Sequence, residues 1–223
     1  MSYEVRGSYE SRSREIAEAL IAIEGVGFRP AAPITFKSGI KAPVYCDNRR
    51  FPFWPEQWAK VIGGFEGLIA ERGIAVEVVG GVEAAGIPHS AALGFSMRVP
   101  SVFIRKELKE HGTKKRVEGG DVTGRRVVLV EDLVTTGGSS IAAIEALREE
   151  GAVVSDCLAI ISYGFPEAVE LFAMRGVRLH VTTTFPVVLE CAVEQGMVDE
   201  AGAAVVRDWL EEPRSWAKRQ GFE

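Results

Sequence analysis

The sequence predicts an α/β fold in which a mostly parallel sheet is flanked by helices. Short β-branched apolar runs alternate along the chain with longer segments whose apolar residues have helical spacing. The run Val127–Val130 is apolar throughout, as in a strand that is covered on both faces. A chain of 223 residues, of which 47% are hydrophobic, is long enough to bury one full-sized core.

The first third of the chain is predicted to contain two helices and a hairpin. Apolar residues at helical spacing indicate an amphipathic helix over Ser13–Glu24. Phe28–Asn48 has three prolines and a glycine turn between short alternating stretches, which indicates a small β-hairpin lobe. Trp54–Arg72 has a proline in its first turn and one apolar face, which is typical of a long helix.

The alternation of strands and helices continues to the C-terminus. Strands are predicted at Val76–Gly81, Val102–Ile104, Val127–Val130, Val153–Ile161 and Val177–Thr183. Later helices are predicted at Glu167–Arg175, Pro186–Gln195 and, as one terminal packing helix, Asp199–Lys218. We expect a single domain over residues 1–223. Its core lies at about residues 51–185, and its hood lobe lies at about residues 1–50, with contributions from the C-terminal segment.

Composition excludes several classes of protein. The net charge of −5 and the pI near 5.4 argue against a nucleic-acid surface, and no apolar run is long enough to span a membrane. Cys46, Cys157 and Cys191 are far apart and form no CxxC pair, so neither a disulfide framework nor a structural zinc site is indicated. The first twenty residues lack the apolar segment of a signal peptide, and we expect a cytoplasmic protein.

The most informative stretch follows Val130. Glu131 and Asp132 come first, then Leu133 and Val134, and then a loop of small residues, Thr135–Ser140, ahead of a helix. Unpaired N–H groups at a helix N-terminus bind phosphate well, and glycines let the chain approach the anion closely. Carboxylates beside such a site suit sugar hydroxyls or Mg²⁺. The simpler alternative is that the loop only caps the helix.

Three other segments allow both a structural and a functional interpretation. Lys37-Ser38-Gly39 is an exposed hairpin tip or a ligand contact. Gly80–Pro88 is a tight turn into a helix or a second anion site. The segment after the predicted strand Val102–Ile104, residues 105–121, is a solvated charged loop or the source of cations for an anionic ligand.

The loop sequence VVLVEDLVTTGGS resembles the phosphoribosyl-diphosphate signature of type I phosphoribosyltransferases. This resemblance implies that the loop holds the 5-phosphate and that the two acids face the ribose hydroxyls. It implies the following residues for binding 5-phosphoribosyl 1-diphosphate (PRPP): Arg105, Lys106, Lys109, His111, Glu131, Asp132, Leu133, Val134, Thr135, Thr136, Gly137, Gly138 and Ser139.

Two further segments, FKSGIKAPVYCDNR and RKELKEHG, resemble the orotate phosphoribosyltransferase family. In that family the first segment contacts orotate, which implies Lys37, Tyr45 and Cys46 as its ligands here, and Thr135 of the phosphate loop occupies a further position that touches orotate. The second segment is a flexible loop that closes over the active site, commonly that of the partner in a homodimer. The resemblance implies the catalytic residues Lys106, Asp132, Glu131 and His111.

The implied reaction is Mg²⁺-dependent transfer of phosphoribose from PRPP to orotate, which gives orotidine 5-phosphate and diphosphate in de novo pyrimidine (UMP) biosynthesis. The resemblance implies small-molecule substrates and no nucleic-acid or membrane partner. It also implies a Mg²⁺ ion held mainly by the substrate, with Asp132 as a candidate protein ligand.

The sequence departs from the family pattern at two places. Ala85 occupies a position where a lysine is common before Gly-Ile-Pro. Ser162–Phe165 lacks the Asp-Arg pair whose guanidinium binds the carboxylate of orotate in many members, and Lys37 or Arg49 is the predicted replacement. Two alternatives therefore stay open, namely a phosphoribosyltransferase for a purine or another base, and a non-catalytic PRPP sensor of the same fold.

Overall fold

The computed structural model describes residues 3–106 and 115–222, with side chains from residue 9 onward. The strands within these ranges are β1 (Val26–Phe28), β2 (Ile34–Thr35), β3 (Lys41–Ala42), β4 (Val44–Cys46), β5 (Val78–Val82), β6 (Ser101–Ile104), β7 (Val117–Glu118), β8 (Arg126–Val134), β9 (Val153–Ser162) and β10 (Arg178–Thr184). The helices are α1 (Tyr3–Ala22), the 3-10 helix η1 (Asn48–Phe53), α2 (Pro55–Arg72), α3 (Gly86–Met97), α4 (Gly138–Glu149), α5 (Pro166–Met174), α6 (Phe185–Glu194), α7 (Glu200–Glu211) and α8 (Pro213–Arg219).

Six strands form the central sheet in the order β10-β9-β8-β5-β6-β7. All neighbouring pairs are parallel except β6 and β7, and helices flank the sheet. The prediction of a mostly parallel α/β fold is therefore confirmed. Because β5, β8 and β9 are parallel, the loops that follow them lie at one edge of the sheet, where ligands bind in open α/β folds.

The predicted hairpin is present as two short antiparallel ladders. Strand β1 pairs with β4, and β2 pairs with β3 inside that pair. The inner turn is closed by a hydrogen bond from the Gly39 N–H to the Phe36 carbonyl at 2.9 Å, and Gly39 has φ +83°, which favours glycine. We call residues 26–46 the hairpin lobe.

Several element boundaries differ from the sequence prediction. Helix α1 begins at Tyr3, ten residues before the predicted start. The predicted terminal helix is two helices, because Pro213 lacks a backbone N–H and begins α8 as its first residue. Strand β7 was not predicted, since only two residues pair and they lie in a charged segment. Within the described residues, no helix is long and apolar enough to cross a membrane.

The boundary of β8 matters most for the site. The strand continues to Val134, so Glu131 and Asp132 lie inside it and do not follow it. Neighbouring strand residues point to opposite faces of the sheet. The two acids therefore have different surroundings.

An aromatic cluster joins the hairpin lobe to the sheet and the C-terminal helices. Tyr163, directly after β9, stacks on Phe36 and Phe165 with ring centroids 5.6 and 5.5 Å away. Trp209 of α7 contacts Tyr163 edge-on at 5.0 Å, and Phe185 of α6 lies at the same distance. These large buried rings hold the lobe beside the carboxyl edge of β8 and β9.

Candidate active site

A cavity of about 400 Å³ opens between the hairpin tip and the loop that joins β8 to α4. The side chains and backbone that line it come from three segments that are distant in sequence. They are Phe36, Lys37, Ser38, Lys106, Leu133, Val134, Thr135, Thr136, Gly137, Ser139 and Ser140.

The loop end of the cavity is the N-terminus of α4. Gly137 precedes the helix with φ +81°, and a Cβ there would lie 3.0 Å from the Phe172 ring, so the turn requires glycine. The first intrahelical hydrogen bond runs from the Ile141 N–H to the Gly137 carbonyl. The amides of residues 138–140 therefore precede the helical ladder, and the hydroxyls of Thr135 and Thr136 lie beside them, as an anion site requires.

Glu131 lies behind this loop and outside the cavity lining. It is 5% exposed, and one of its carboxylate oxygens accepts hydrogen bonds from Ser139 at 3.2 Å and Ser140 at 3.1 Å. Burial, together with the neighbouring charge of Asp132, raises the pKa of Glu131 to about 7. In this position the carboxyl group fixes the first turn of α4.

Asp132 is half-buried on the other face of β8. Burial raises its pKa to about 6, although the backbone N–H groups of Leu133 and of Asp132 itself, and the charge of Arg49, act in the opposite direction. Its backbone carbonyl accepts a hydrogen bond from Asn48 Nδ2 at 2.9 Å. Asn48 had no functional signal in the sequence.

The structure describes only part of the predicted cationic segment. Lys106 lines the cavity, and its backbone N–H donates to the Glu83 carboxylate at 3.0 Å, which attaches it to the turn before α3. Arg105 is outside the cavity lining and pairs with Glu118 at 3.3 Å. Lys109 and His111 lie outside the described residues.

Only some of the residues predicted to contact the base line the cavity. Lys37 and Thr135 line the cavity, whereas Tyr45 and Cys46 are not among its described lining residues. The Tyr45 ring covers the backbone of Gly27 and lies 5.5 Å from the Arg29 guanidinium. Phe36 and Ser38, which do line the cavity, flank Lys37 in the hairpin tip and were not predicted as ligands.

Known proteins with related sequences and folds share this arrangement of elements. Residues 55–163 match the model of the phosphoribosyl transferase domain. An orotate phosphoribosyltransferase from Coxiella burnetii is 36% identical over 206 residues, which cover 92% of this chain and 99% of the relative. The chain belongs to the orotate phosphoribosyltransferase family. The recognition made from the sequence motifs is thus confirmed.

Solved structures agree with this membership of the orotate phosphoribosyltransferase family. The enzyme from Aeropyrum pernix has a TM-score of 0.72 and 31% identity, and the match covers 82% of this chain and 99% of that one. An orotate phosphoribosyltransferase from Mycobacterium tuberculosis, solved in complex with PRPP, has a TM-score of 0.62 and 25% identity. That match covers 79% of this chain and 98% of the other.

The strand end that departs from the common orotate phosphoribosyltransferase pattern is filled by the aromatic cluster. Tyr163 and Phe165 are buried there against Phe36 and Trp209. An arginine at this position would have to place its guanidinium among these rings. The cluster therefore explains how the chain packs without the Asp-Arg pair, and the base carboxylate needs a cation from elsewhere.

The raised pKa of Glu131 predicts how stability depends on pH. The folded protein binds this proton more tightly than the unfolded chain, whose ordinary value is 4.5. The stabilisation is therefore fully present below about pH 4.5 and is lost as the pH rises through about 7. The shift corresponds to a loss on the order of 3 kcal/mol in the free energy of unfolding.

We expect Glu131→Gln to reduce the pH dependence, because an amide oxygen still accepts from Ser139 and Ser140 but does not titrate. The Asp132 carboxyl, whose pKa is also raised, keeps its own contribution to the slope. Urea unfolding between pH 4.5 and 8 measures the slope, with the exposed Glu145→Gln as the matched control. Equal slopes in wild type and Glu131→Gln would contradict the assignment.

Proposed function

We propose that this protein transfers the phosphoribosyl group of PRPP to orotate, giving orotidine 5-phosphate and diphosphate. It is an enzyme of the orotate phosphoribosyltransferase family. The observation that carries the proposal is the single cavity that joins the N-terminus of α4 to Lys106 and Lys37. An anion site between two lysines suits a sugar phosphate, a diphosphate and an anionic base in one cleft.

In the proposed reaction the bond from C1 of the ribose to the diphosphate oxygen breaks, and its electron pair leaves with the diphosphate. A bond from C1 to N1 of orotate forms, and the proton of N1 passes to the departing diphosphate. The sugar carries positive charge at C1 in between, so catalysis depends on placed charges more than on a nucleophilic side chain.

Each described segment of the cavity has a role in this proposal. The amides and hydroxyls of residues 135–140 hold the 5-phosphate, and Asp132 accepts from the ribose hydroxyls. Lys106 lies where it can neutralise charge on the departing diphosphate, together with Lys109 and His111 of the adjoining segment. Glu131, which the family resemblance also implies at the ribose, holds the loop in this structure.

The donor set suits Mg²⁺ bound mainly through substrate oxygens. No three His, Cys, Asp or Glu side chains among the described residues form a metal cluster. Asp132 is a half-buried carboxylate directly before the lining residue Leu133, and Mg²⁺ commonly takes one or two carboxylates together with phosphate oxygens and water. When bound with PRPP, Mg²⁺ would neutralise charge on the diphosphate.

The carboxylate of orotate is proposed to bind Lys37. Lys37 lines the cavity, whereas the Arg49 side chain is 69% exposed and its Nε lies 2.5 Å from the Asp47 carboxylate. We expect Lys37→Ala to raise the KM for orotate by roughly tenfold or more, because a charge-assisted hydrogen bond is lost. Arg49→Ala is expected to have a smaller effect.

The KM for orotate at saturating PRPP measures both changes. Lys60→Ala is the control, since Lys60 is exposed on α2 and pairs with Glu15. If Lys37→Ala and Arg49→Ala both leave the KM unchanged, neither residue replaces the family arginine.

We further propose a homodimer whose partner subunits share the loop after β6. Large apolar side chains are exposed on neighbouring elements, namely Phe53 at 83%, Trp54 at 39% and Phe95 at 89%. Exposed side chains of this size commonly mark interfaces.

The division into a hood lobe and a core remains a proposal. A cytoplasmic location is also proposed, because the three free cysteines suit a reducing compartment.

A Mg²⁺-dependent assay tests the function. PRPP is supplied with orotate, and the ultraviolet absorbance of orotate is followed, with adenine, hypoxanthine and xanthine in parallel. Loss of orotate absorbance supports the proposal. Turnover of a purine alone, or tight PRPP binding without any turnover, would overturn it.

A further inference from the structure

We propose that Asn48 is a positioning residue for Asp132, because its hydrogen bond fixes the peptide group that orients the Asp132 carboxylate. Asn48 is fully buried at the start of η1, and its side-chain amide lies 2.9 Å from the Asp132 carbonyl oxygen. A carbonyl can only accept, so the facing atom is the Nδ2 donor. This contact joins the segment after the hairpin lobe to the strand that carries the ribose acid.

This hydrogen bond forms at a position of β8 where β5 supplies no backbone partner. Strands β5 and β8 pair only as far as Gly81 and Val130. Asp132 is two residues beyond the last pair, on a part of β8 that β5 does not reach. A side-chain donor is therefore needed to orient the Asp132 carbonyl on that side.

The orientation of this carbonyl determines the orientation of the carboxylate. The Asp132 carbonyl and the Leu133 N–H belong to one planar peptide group. That N–H and the N–H of Asp132 itself are the two backbone donors that act to lower the pKa of the Asp132 carboxyl group. If the peptide rotated, the Leu133 N–H would turn with it, and the carboxylate would lose one of the two backbone donors that act on it.

The 3-10 helix η1, which begins at Asn48, contacts α2 and, through Phe51, His89 of α3. Trp58 Nε1 of α2 donates to His89 Nδ1 of α3 at 2.9 Å, and the fully buried His89 ring faces the backbone of Asn48. Phe51 of η1 packs edge-on against His89, with centroids 6.5 Å apart. Asn48 therefore lies on a rigid support, as a residue that positions another must.

This inference rests on the proposed contact between Asp132 and the ribose hydroxyls, and it adds a residue that does not touch substrate. Its consequence is specific to the ribose. Loss of the Asn48 amide should weaken recognition of the hydroxyls and leave the phosphate contacts in place.

Calorimetric binding of ribose 5-phosphate and 2-deoxyribose 5-phosphate tests this consequence without requiring turnover. We expect wild type to prefer ribose 5-phosphate by roughly tenfold, as for a hydrogen bond to a charged group. Asn48→Leu should reduce the preference to below about threefold, since small misplacement removes much of such a contact. Val61→Ala, which removes volume from the buried face of α2, should keep the preference.

A double-mutant cycle with Asp132→Asn separates positioning from general loss of structure. Asn48→Leu should have no further effect on the preference once Asp132 is replaced. If Asn48→Leu does not fold, Asn48→Ser, whose side chain is too short to reach the carbonyl, replaces it. An unchanged preference in the Asn48 variant, equal effects with and without Asp132, or no preference in wild type would overturn the proposal.

Activity with orotate is measured on the same preparations. Wild type that binds with the expected preference but does not convert orotate would refute the proposed reaction and leave the positioning role standing. Wild type that converts orotate while Asn48→Leu keeps the full preference would refute only the positioning role.

Discussion

Asp132→Asn is expected to lower kcat/KM for PRPP by roughly 100-fold. The half-buried carboxylate lies on β8 directly before the lining residue Leu133, and it is proposed to accept from the ribose hydroxyls. As the diphosphate leaves, positive charge develops on the sugar, and a fixed negative charge nearby stabilises that state more than the ground state. Asparagine keeps the size of the side chain and removes the charge.

Initial rates at varied PRPP and saturating orotate measure this effect. The control is Asp208→Asn, which makes the same change at an exposed carboxylate of α7 that pairs with Arg219.

The activity of Asp132→Asn should also lose the fall that wild type shows on the acid side of the pH profile. The pKa of Asp132 is raised to about 6, so wild-type activity should fall as the pH drops below that value. Near-normal kcat/KM in Asp132→Asn would refute the role of Asp132.

The sequence was sufficient to predict the fold and the segments that line the cavity. Hydrophobic patterns located every strand of the parallel sheet to within a few residues, because buried parallel strands are continuous apolar runs. Lys37, Lys106 and the loop after β8 were predicted because each belongs to a short local motif. All of them line the cavity except Gly138 of the loop.

The relation between Glu131 and Asp132 could not be predicted in the same way. Glu131 and Asp132 follow an apolar run, and this pattern places both of them at the end of a strand. The family resemblance assigns both acids to the ribose. Because β8 continues to Val134, the strand alternation places the two acids on opposite faces, so that Glu131 is buried and Asp132 only half-buried. The deciding fact is the length of a strand, which depends on its pairing with β9 up to Ser162.

Contacts between segments that are far apart in the sequence also could not be predicted. Asn48 reaches a backbone carbonyl 84 positions later, and no local pattern marks an asparagine for that contact. Tyr163 and Phe165 stand at a strand end where a polar pair was expected. Their packing against Phe36 and Trp209 depends on the C-terminal helices returning to this edge of the sheet.

Lys106→Ala is expected to lower kcat by roughly 100- to 1,000-fold, the effect of removing one preorganised group that stabilises charge in a transition state. Lys106 lines the cavity, and its backbone N–H donates to Glu83 in the turn before α3. Its ammonium group is proposed to neutralise the departing diphosphate. The charge on that group increases as the bond to C1 breaks, so kcat should change more than the KM for orotate.

Lys115→Ala is the matched control, because Lys115 belongs to the same charged segment but is directed at Glu150, 3.7 Å away at the end of α4. Both variants remove one positive charge from an acidic protein, so a general electrostatic effect would lower their rates equally and would weaken at high salt. A loss confined to Lys106→Ala that persists at high salt indicates direct contact with the leaving group. Equal rates in the two variants would mean that the diphosphate depends on other cations of the segment, and Lys106 would then have no catalytic role.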